Sequence, residues 1–539
     1  MATISFYGSH NAAYVVESGG KILLVLEAER FLNYKNSGIA QYMCPKSTEI
    51  LFLAEYIPRW IMRKLNIDEF ETCYFSNTDV IMDENRFNLQ KTIPAKKYVQ
   101  CLHHESHAGG SFYQSSFKEA LIFSFDGGGN DGKFCVYTCK RGESPKLLEQ
   151  VLNPKYNNPH IHYDLGFPYM IFAHFLKDIK QEDLGMGNLV YPGKLMGLSS
   201  YGNVIEEWLP HFIEFYKDSP EGSNYLEKIT ALGNKIDVTF DASNRLDGQL
   251  AYDIAATNQR AFEDCFLEIA KPYMEKYPNL PLCITGGCGL NILLNTRLVN
   301  EFNKEVHVGP DPNDCGIALG MMLNSLKPNE AYDSTYSGTN LLDIDSLGTY
   351  IQNSAFYTKT RRVNIEKLAK DIESGKIIGV ARDRAEHGPR ALGNRSIICN
   401  PIISNMKEVL NDKVKHREWY RPFAPVVRLE DVNKYFEWNK ESKWMSFCPQ
   451  VKEEWKLKLP SITHVDGTAR VQTVTKEQNP WLYELLTEFE KLTGVGVLLN
   501  TSFNVDGKPI LSTIKDAFTI LEKTQLDGLV IEEYYIKKN

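Results

Sequence analysis

Apolar runs ending in glycine-rich turns recur along this chain and predict an α/β protein. Ile4 to Tyr7 is apolar and extended, and Gly8-Ser9-His10-Asn11 reads as a turn. Ala12 to Val16 and Ile22 to Leu26 continue as strands about Gly19-Gly20. The run Ala120 to Phe123 predicts a buried strand that ends at Asp126 and three glycines. Residues 281–288 predict another strand running into Gly286-Gly287, after which Gly289-Leu290-Asn291 leads into a helix. Helical spacing covers 47–65, where Pro58 predicts a kink or break. It also covers 251–270 and begins again at 311–323, with Asp314 in the first turn. Between about 325 and 360 the texture turns to Pro, Gly, Ser, Thr and Asn, a connection. A helix, Gly375 as its stop and a strand follow, and 495–510 reads strand, turn, strand. No internal repeat and no low-complexity tract is visible.

Chemistry gathers at the ends of these elements. His103 and His107 in HHESHAGG are four residues apart, so on a helix both imidazoles share one face and can hold one ion. Asp126, at a strand end before the glycines, suits a third ligand beside a phosphate-sized pocket. Surface histidines and an ordinary turn are the alternative. The Gly286-Gly287 turn before a helix can offer N–H groups to phosphate, or can be a tight turn that needs glycine for positive φ. Asp314 suits a helix dipole and could be only a cap. In the second half, Arg390, Arg395, Lys415, Arg417 and Arg421 are interleaved with Gly-Pro, Ala-Leu-Gly and Pro-Phe-Ala-Pro. Small and apolar neighbours suggest a folded anion pocket rather than an open charged face. Arg470 follows THVDGTA, and Asn500 and Ser502 at a strand end could add amide and hydroxyl groups to the same pocket, although Asn-Thr-Ser is also turn chemistry.

Composition narrows the class. A chain of 539 residues is too long for one core, so two or three domains are expected. Net charge is −8, which disfavours nucleic acid as a partner without forbidding a local basic pocket. The eleven cysteines are scattered, with Cys135 and Cys139 the only close pair, and reduced thiols are the simpler reading. The first residues lack a signal-peptide pattern and no apolar run is long enough to cross a bilayer, so a soluble cytoplasmic protein without a membrane partner is expected.

Ten motifs in order resemble the NodU-type O-carbamoyltransferases: GSHNAAYVV, EAERF with Lys35, LHHESHA, FSFDGGG, GKLMGLSSYG, ITGGCGLN, DPNDCGIALG, EHGPRALGNRS, NDKVKHREWYRPFAP and LLNTSFNVDGKPI. The pair EHGPRALGNRS and REWYRPFAP behind an HHxxHA motif is specific to that family. The resemblance implies an N-terminal actin-like (ASKHA) duplicated α/β domain of the TsaD type over 1–355. A YrdC-like α/β domain over 356–539 would follow it. It implies an enzyme that makes carbamoyl adenylate from carbamoyl phosphate and ATP and passes the carbamoyl group to a hydroxyl of a small-molecule acceptor. It also implies a divalent metal of the Fe(2+) type.

Carried over residue by residue, the metal ligands are His103, His107, Asp126 and Asp314. Carbamoyl phosphate would meet Arg390, Lys415, Arg421, Arg470, Asn500 and Ser502. The nucleotide would meet Gly127, Gly128, Lys194, Gly286, Gly287 and Asn291. Residues expected to serve catalysis are His10, Lys35, Arg390, Lys415 and Arg421. His10 is the candidate base for the acceptor hydroxyl, or only a hydrogen-bonding partner of the phosphate turn. Two departures stand out. Asn11 replaces the family's usual Asp, and Gly109-Gly110 replace Ala and Ser, which predicts an early end to the metal helix. Residues 151–190 and 203–250 are expected to shape the acceptor pocket, and a homodimer is admitted. The competing reading is an ASKHA-type small-molecule kinase or ATPase. A tRNA-modifying role is disfavoured by the acidic balance and the fused second domain.

Overall fold

The structure, a computed structural model, describes residues 2–38, 47–76, 89–148, 164–179, 188–218, 224–505 and 507–538. Parts of the segments expected to shape the acceptor pocket (151–163, 180–187 and 219–223) therefore lie outside the described residues. The chain divides into two compact units, Met1–Ile22 with Gly38–Tyr332, and Leu23–Ser37 with Asp333–Asn539. The sequence reading drew one cut after residue 355. The division falls instead at 332/333 because Gly338 and Ala385, and Leu342 and Ser512, are joined by backbone hydrogen bonds within the second unit. Leu23–Ser37 joins that unit through Arg30, which donates to the carbonyls of Glu386 and Gly388. Gly388 N–H in turn donates to Glu27 at 3.1 Å.

The first unit carries two five-stranded sheets. One contains β1 (Ala2–Tyr7), β2 (Ala13–Ser18), β3 (Lys21–Glu27, which begins in this unit), β4 (Phe70–Ser76) and β5 (Ala95–Gln100), in the order β3-β2-β1-β4-β5. The other contains β6 (Glu119–Gly129), β7 (Gly132–Lys140), β8 (Lys146–Leu147), β9 (Leu282–Thr285) and β10 (Val306–His307), in the order β10-β9-β6-β7-β8. In each, the first strand pairs antiparallel with the second and parallel with the fourth. The same topology thus occurs twice, the duplicated α/β architecture that the motifs implied. No repeat is visible in the sequence because what is duplicated is strand order and crossover, not residue identity.

Several local expectations change. The helix Ser47–Leu65 continues through Pro58. Proline removes one N–H donor there, and Ile57 and Ile61 are fully buried about it. The helix that carries His103 and His107 does not end early at Gly109-Gly110 but runs from His103 to Gln114. Its glycines serve a close approach to the helix Ile317–Leu326. A Cβ at Gly109 would stand 1.7 Å from Asn324 Oδ1, and one at Gly320 only 2.0 Å from the Ser106 carbonyl oxygen.

The second unit is one eight-stranded mixed sheet. It contains β11 (Thr360–Arg362), β12 (Ile378–Ala381), β13 (Arg395–Cys399), β14 (Ala424–Arg428), β15 (Gln472–Val474), β16 (Val497–Ser502), β17 (Gly528–Ile531) and β18 (Tyr534–Lys537). Their order is β11-β18-β17-β12-β13-β16-β14-β15. Helices Ile365–Glu373 and Pro480–Thr493 cover it, burying Leu368, Ile372, Leu482, Leu486 and Phe489 against Val380, Ile398, Val426 and Leu498. Asn364 and Asn479 start these helices by accepting from Lys367 and Leu482 N–H. The second strand expected after residue 502 is absent among the described residues, where bends and turns follow β16.

Gly320→Ala should force the two packed helices apart and destabilise the protein by about 1–3 kcal/mol. A thermal melt that matches the parent would show that the helices can separate at no cost.

Candidate active site

The hairpin between β6 and β7 builds the start of the His103–Gln114 helix. Asn130 Oδ1 accepts from His103 N–H at 2.9 Å, and the Asp131 carboxylate accepts from His104 N–H at 2.9 and 3.0 Å and from Glu105 N–H at 3.2 Å. These are the N–H groups that a helix leaves unpaired, and a carboxylate there also suits the dipole. With the helix fixed, His103 and His107 face Asp126 at the end of β6 and Asp314 in the turn before Ile317. All four are buried, and one ligand atom from each lies within 4.8 Å of the others.

His103 Nε2 is 2.9 Å from Asp126 Oδ2 and 3.8 Å from Asp314 Oδ1. His107 Nε2 stands 3.4 and 3.5 Å from the same two oxygens. It is buried without a hydrogen bond. A buried imidazole nitrogen between two carboxylates calls for positive charge at that point, a proton or a metal ion. The donor set, two imidazoles and two carboxylates, therefore fits a divalent cation of the first transition row.

The charges reinforce one another. Burial alone would raise the Asp126 carboxyl, but His104, His103 and His107 outweigh it and hold it well below the ordinary range. Burial also opposes ionisation of Asp314, yet His10, His103 and His107 bring it down to about 2. Burial would lower His107, and Asp126 and Asp314 instead lift it to about 9.

Three residues that the sequence reading did not single out hold this centre. Tyr7 donates its hydroxyl to Asp314 Oδ2 at 2.6 Å. His104 packs between Ser124 Oγ (2.7 Å) and the Gly132 carbonyl (3.0 Å), with Nε2 3.7 Å from Asp126 Oδ1. Asp131 caps the helix. The doubled histidine of the motif was the available signal for His104; no spacing rule points to Tyr7.

His10 joins the centre, with Nε2 3.3 Å from Asp314 Oδ2 and Nδ1 3.2 Å from Asn11 Oδ1. Asn11 has φ +57°, a left-handed conformation that asparagine tolerates.

The nucleotide set divides. Gly127 is exposed in β6 directly after Asp126, and Gly128 N–H donates to Asp126 Oδ1 at 2.8 Å. Gly286 has φ +86°, and a Cβ there would meet the Phe125 carbonyl at 2.2 Å, so the tight-turn requirement is real. Gly287 lies against Asp126, its hypothetical Cβ 3.6 Å from that side chain. Asn291 caps the helix Ile292–Phe302 and exchanges amide hydrogen bonds with Gln259, which occupies its side chain within the protein. Lys194 is half-buried on the helix Tyr191–Ser199. Lys35 is half-buried within the Leu23–Ser37 segment of the second unit.

In the second unit, Arg390, Arg417, Arg421 and Arg470 lie close enough to repel one another. Burial, then Arg390, Arg417 and Arg421, push the Arg470 guanidinium well below its usual range. Burial and Arg421 lower Arg390 to about 10. Arg470 Nε is buried without a hydrogen bond. Arg421 stands 3.4 Å from Glu418, and Arg417 stacks on Phe423 at 4.2 Å. Such a concentration of cations has the charge to cradle an anion.

Other residues of the expected set are already engaged by the chain. The Lys415 ammonium donates to Ser502 O (2.6 Å), Ser502 Oγ (3.2 Å) and Asn504 O (2.9 Å), which makes it a clamp on the end of β16. Asn500 Nδ2 donates to Gln472 and to the Ala391 carbonyl, while its Oδ1 is buried without a hydrogen bond. Arg395 is buried and donates to the carbonyls of Arg382, Asn394 and Asp383, so it supports the loop rather than the cradle.

The Carbamoyltransferase N-terminus family matches residues 51–323 and the Carbamoyltransferase C-terminus family matches 369–538. The chain belongs to the carbamoyltransferase family. It is 33% identical to nodulation protein NolO of Bradyrhizobium diazoefficiens over 81% of this chain and 78% of that protein. It is 34% identical to nodulation protein NolNO of Sinorhizobium fredii over 81% of this chain, spanning 63% of that longer protein. The 3'-hydroxymethylcephem-O-carbamoyltransferase of Amycolatopsis lactamdurans is 34% identical over 53% of each chain. The chain is thus a carbamoyltransferase-family enzyme, and both family segments contain a charged cluster: the His–Asp centre in the first, the guanidinium cradle in the second.

Two outcomes follow from these charges. Because His107 is raised from 6.5 to about 9, its contribution to the stability of the metal-free carbamoyltransferase is complete below pH 6.5 and is lost as pH rises through about 9. A metal must displace that proton, so metal affinity should climb about tenfold per pH unit across the same window and then level. Titration with Co(II) at several pH values measures it, and a flat profile would contradict the assignment. Arg470→Gln should leave the thermal midpoint unchanged or raise it while abolishing the upward shift given by inorganic phosphate. A retained shift would place phosphate binding elsewhere.

Proposed function

We propose that this enzyme is an ATP-dependent O-carbamoyltransferase that uses carbamoyl phosphate and modifies a hydroxyl of a small molecule. The observation that carries the reading is the crowding of Arg390, Arg417, Arg421 and Arg470. Four guanidinium groups held against their mutual repulsion make sense where two polyanions must meet. Carbamoyl phosphate and ATP repel each other, and a cradle of fixed cations offsets that repulsion without reorganising.

Carbamate freed from carbamoyl phosphate by water would attack the α-phosphorus of ATP, with phosphate and then pyrophosphate leaving. Carbamoyl adenylate results, its AMP portion a handle whose binding can position the acyl carbon. Asn500 Oδ1, a buried acceptor, suits the carbamoyl NH₂ group. We assign this half of the chemistry to the second unit, as a YrdC-like domain.

We assign transfer to the first unit. His103, His107, Asp126 and Asp314 would hold a divalent ion, iron in the expectation from the family resemblance, which would supply Lewis acidity toward phosphate oxygens. Exposed Gly127 leaves room for a phosphate to approach the backbone beside Asp126. His10 is our candidate to take the proton from the acceptor hydroxyl: Asn11 Oδ1 accepts from its Nδ1–H, which leaves the Nε2 lone pair, on the side of Asp314, as the base. The hydroxyl oxygen then bonds to the carbamoyl carbon and AMP departs. The ten described cysteines form no disulfide, and no described helix is long and apolar enough to cross a membrane; we place the enzyme in the cytoplasm.

Incubation with carbamoyl phosphate, ATP and a panel of hydroxyl acceptors tests the reading. AMP, pyrophosphate and an acceptor heavier by one carbamoyl group are expected, and metal analysis of the purified protein should find one ion per chain. ADP in place of AMP would move the assignment to a small-molecule kinase.

A further inference from the structure

The strand register singles out one cation that the preceding reading leaves unused. Between the pairs Phe125–Phe134 and Gly129–Gly132 the β6–β7 ladder is irregular. Three residues of β6, Asp126, Gly127 and Gly128, there oppose a single residue of β7, Lys133. An irregularity of this kind bends its strand and re-aims a side chain beside it. The stem of Lys133 runs along the bulge: a Cβ at Gly128 would stand 3.9 Å from both Cγ and Cε of Lys133.

The ammonium is held by a buried partner. Lys133 Nζ donates to Asp164 Oδ2 at 2.6 Å, and the Asp164 side chain is fully buried. Tyr225 donates its hydroxyl to the same oxygen at 3.0 Å, while Asp164 Oδ1 accepts from Phe167 N–H at 3.1 Å. Gly166 of that segment packs on the backbone of Asp126, its hypothetical Cβ 2.7 Å from the Asp126 carbonyl carbon. Asp164 is therefore fixed relative to the bulge. Among the described residues Lys133 makes one hydrogen bond, so two of its three N–H groups are left for a ligand.

We propose that Lys133 is a phosphate-binding residue of the transfer centre, aimed by Asp164 at the phosphate of the departing AMP on the Gly127-Gly128 bulge. The assignment rests on the reaction read above. As the acceptor oxygen bonds to the carbamoyl carbon, the bond from that carbon to the phosphate oxygen breaks and its electron pair leaves with AMP. The added negative charge falls on the phosphate. A fixed ammonium donating there is worth more in that state than in the ground state. Asp164 acts through Lys133 and is a positioning residue.

Calorimetric titration with AMP tests this on the metal-loaded full chain, in an Arg470→Gln background that disables the second unit's cradle. Lys133→Met should weaken AMP binding about tenfold to a hundredfold, the range of hydrogen bonds to a charged group, and Lys133→Arg should recover most of it. Asp164→Asn should give an intermediate loss. In the otherwise native chain, Lys133→Met should slow transfer to the acceptor yet leave pyrophosphate release from carbamoyl phosphate and ATP, and the metal content, unchanged. AMP binding in Lys133→Met equal to that of its parent overturns the role of Lys133 alone. No AMP binding by the parent itself overturns the reaction assignment, and this proposal with it.

Discussion

The backbone N–H groups of His103, His104 and Glu105 donate to Asn130 and Asp131, and the geometry of the first unit's centre follows from that contact. A helix end leaves donors that must find acceptors, and here the acceptors come from the tip of a hairpin. One strand of the hairpin carries Asp126. The cap therefore sets the distance between the histidines and the carboxylate they face, before any ion is considered. The glycine contacts with the helix Ile317–Leu326 add the second constraint, because that helix follows Asp314 directly. Two carboxylates and two imidazoles converge because backbone groups fix their elements at both ends.

The two units concentrate opposite charge in different ways. Around Asp126 and Asp314, neighbouring histidines offset burial, so the cluster is largely self-compensating. Around Arg470 the neighbours are more arginines, and the cluster stores repulsion that the rest of the unit must offset. Part of that support is visible next to Arg390. Glu386 Oε1 accepts three backbone N–H groups, from Leu392, Asn394 and Arg395, and so holds the loop closed. Function and stability pull against each other at such a site.

Much of the centre was legible in the sequence for definite reasons. A four-residue histidine spacing has one geometric meaning on a helix, and an acid at the end of an apolar strand has few places to point. Asp314 was less legible: its local pattern equally fits a cap, and only the family motif joined it to the histidines. Gly109-Gly110 were misread as a helix stop because propensity ignores the neighbouring helix that needs their missing side chains. Lys415 reads as a ligand contact from its motif, and only the structure shows that Ser502 and Asn504, at the end of β16 and just beyond it, accept from its ammonium. Duplication was invisible because strand order leaves no trace in residue identity. The membership of Leu23–Ser37 was invisible too, since an apolar strand carries no mark of the core it joins.

That last segment bears on how the protein is made. Arg30 lies 356 residues before the Glu386 carbonyl that receives it. At about 5–20 residues per second, a ribosome needs roughly 20–70 s to span that interval. Throughout that time the nascent chain carries a guanidinium group destined for burial that has Glu27 beside it but not yet the two carbonyls that will accept from it. Folding of the second unit cannot finish until this early-made piece is joined by residues made much later.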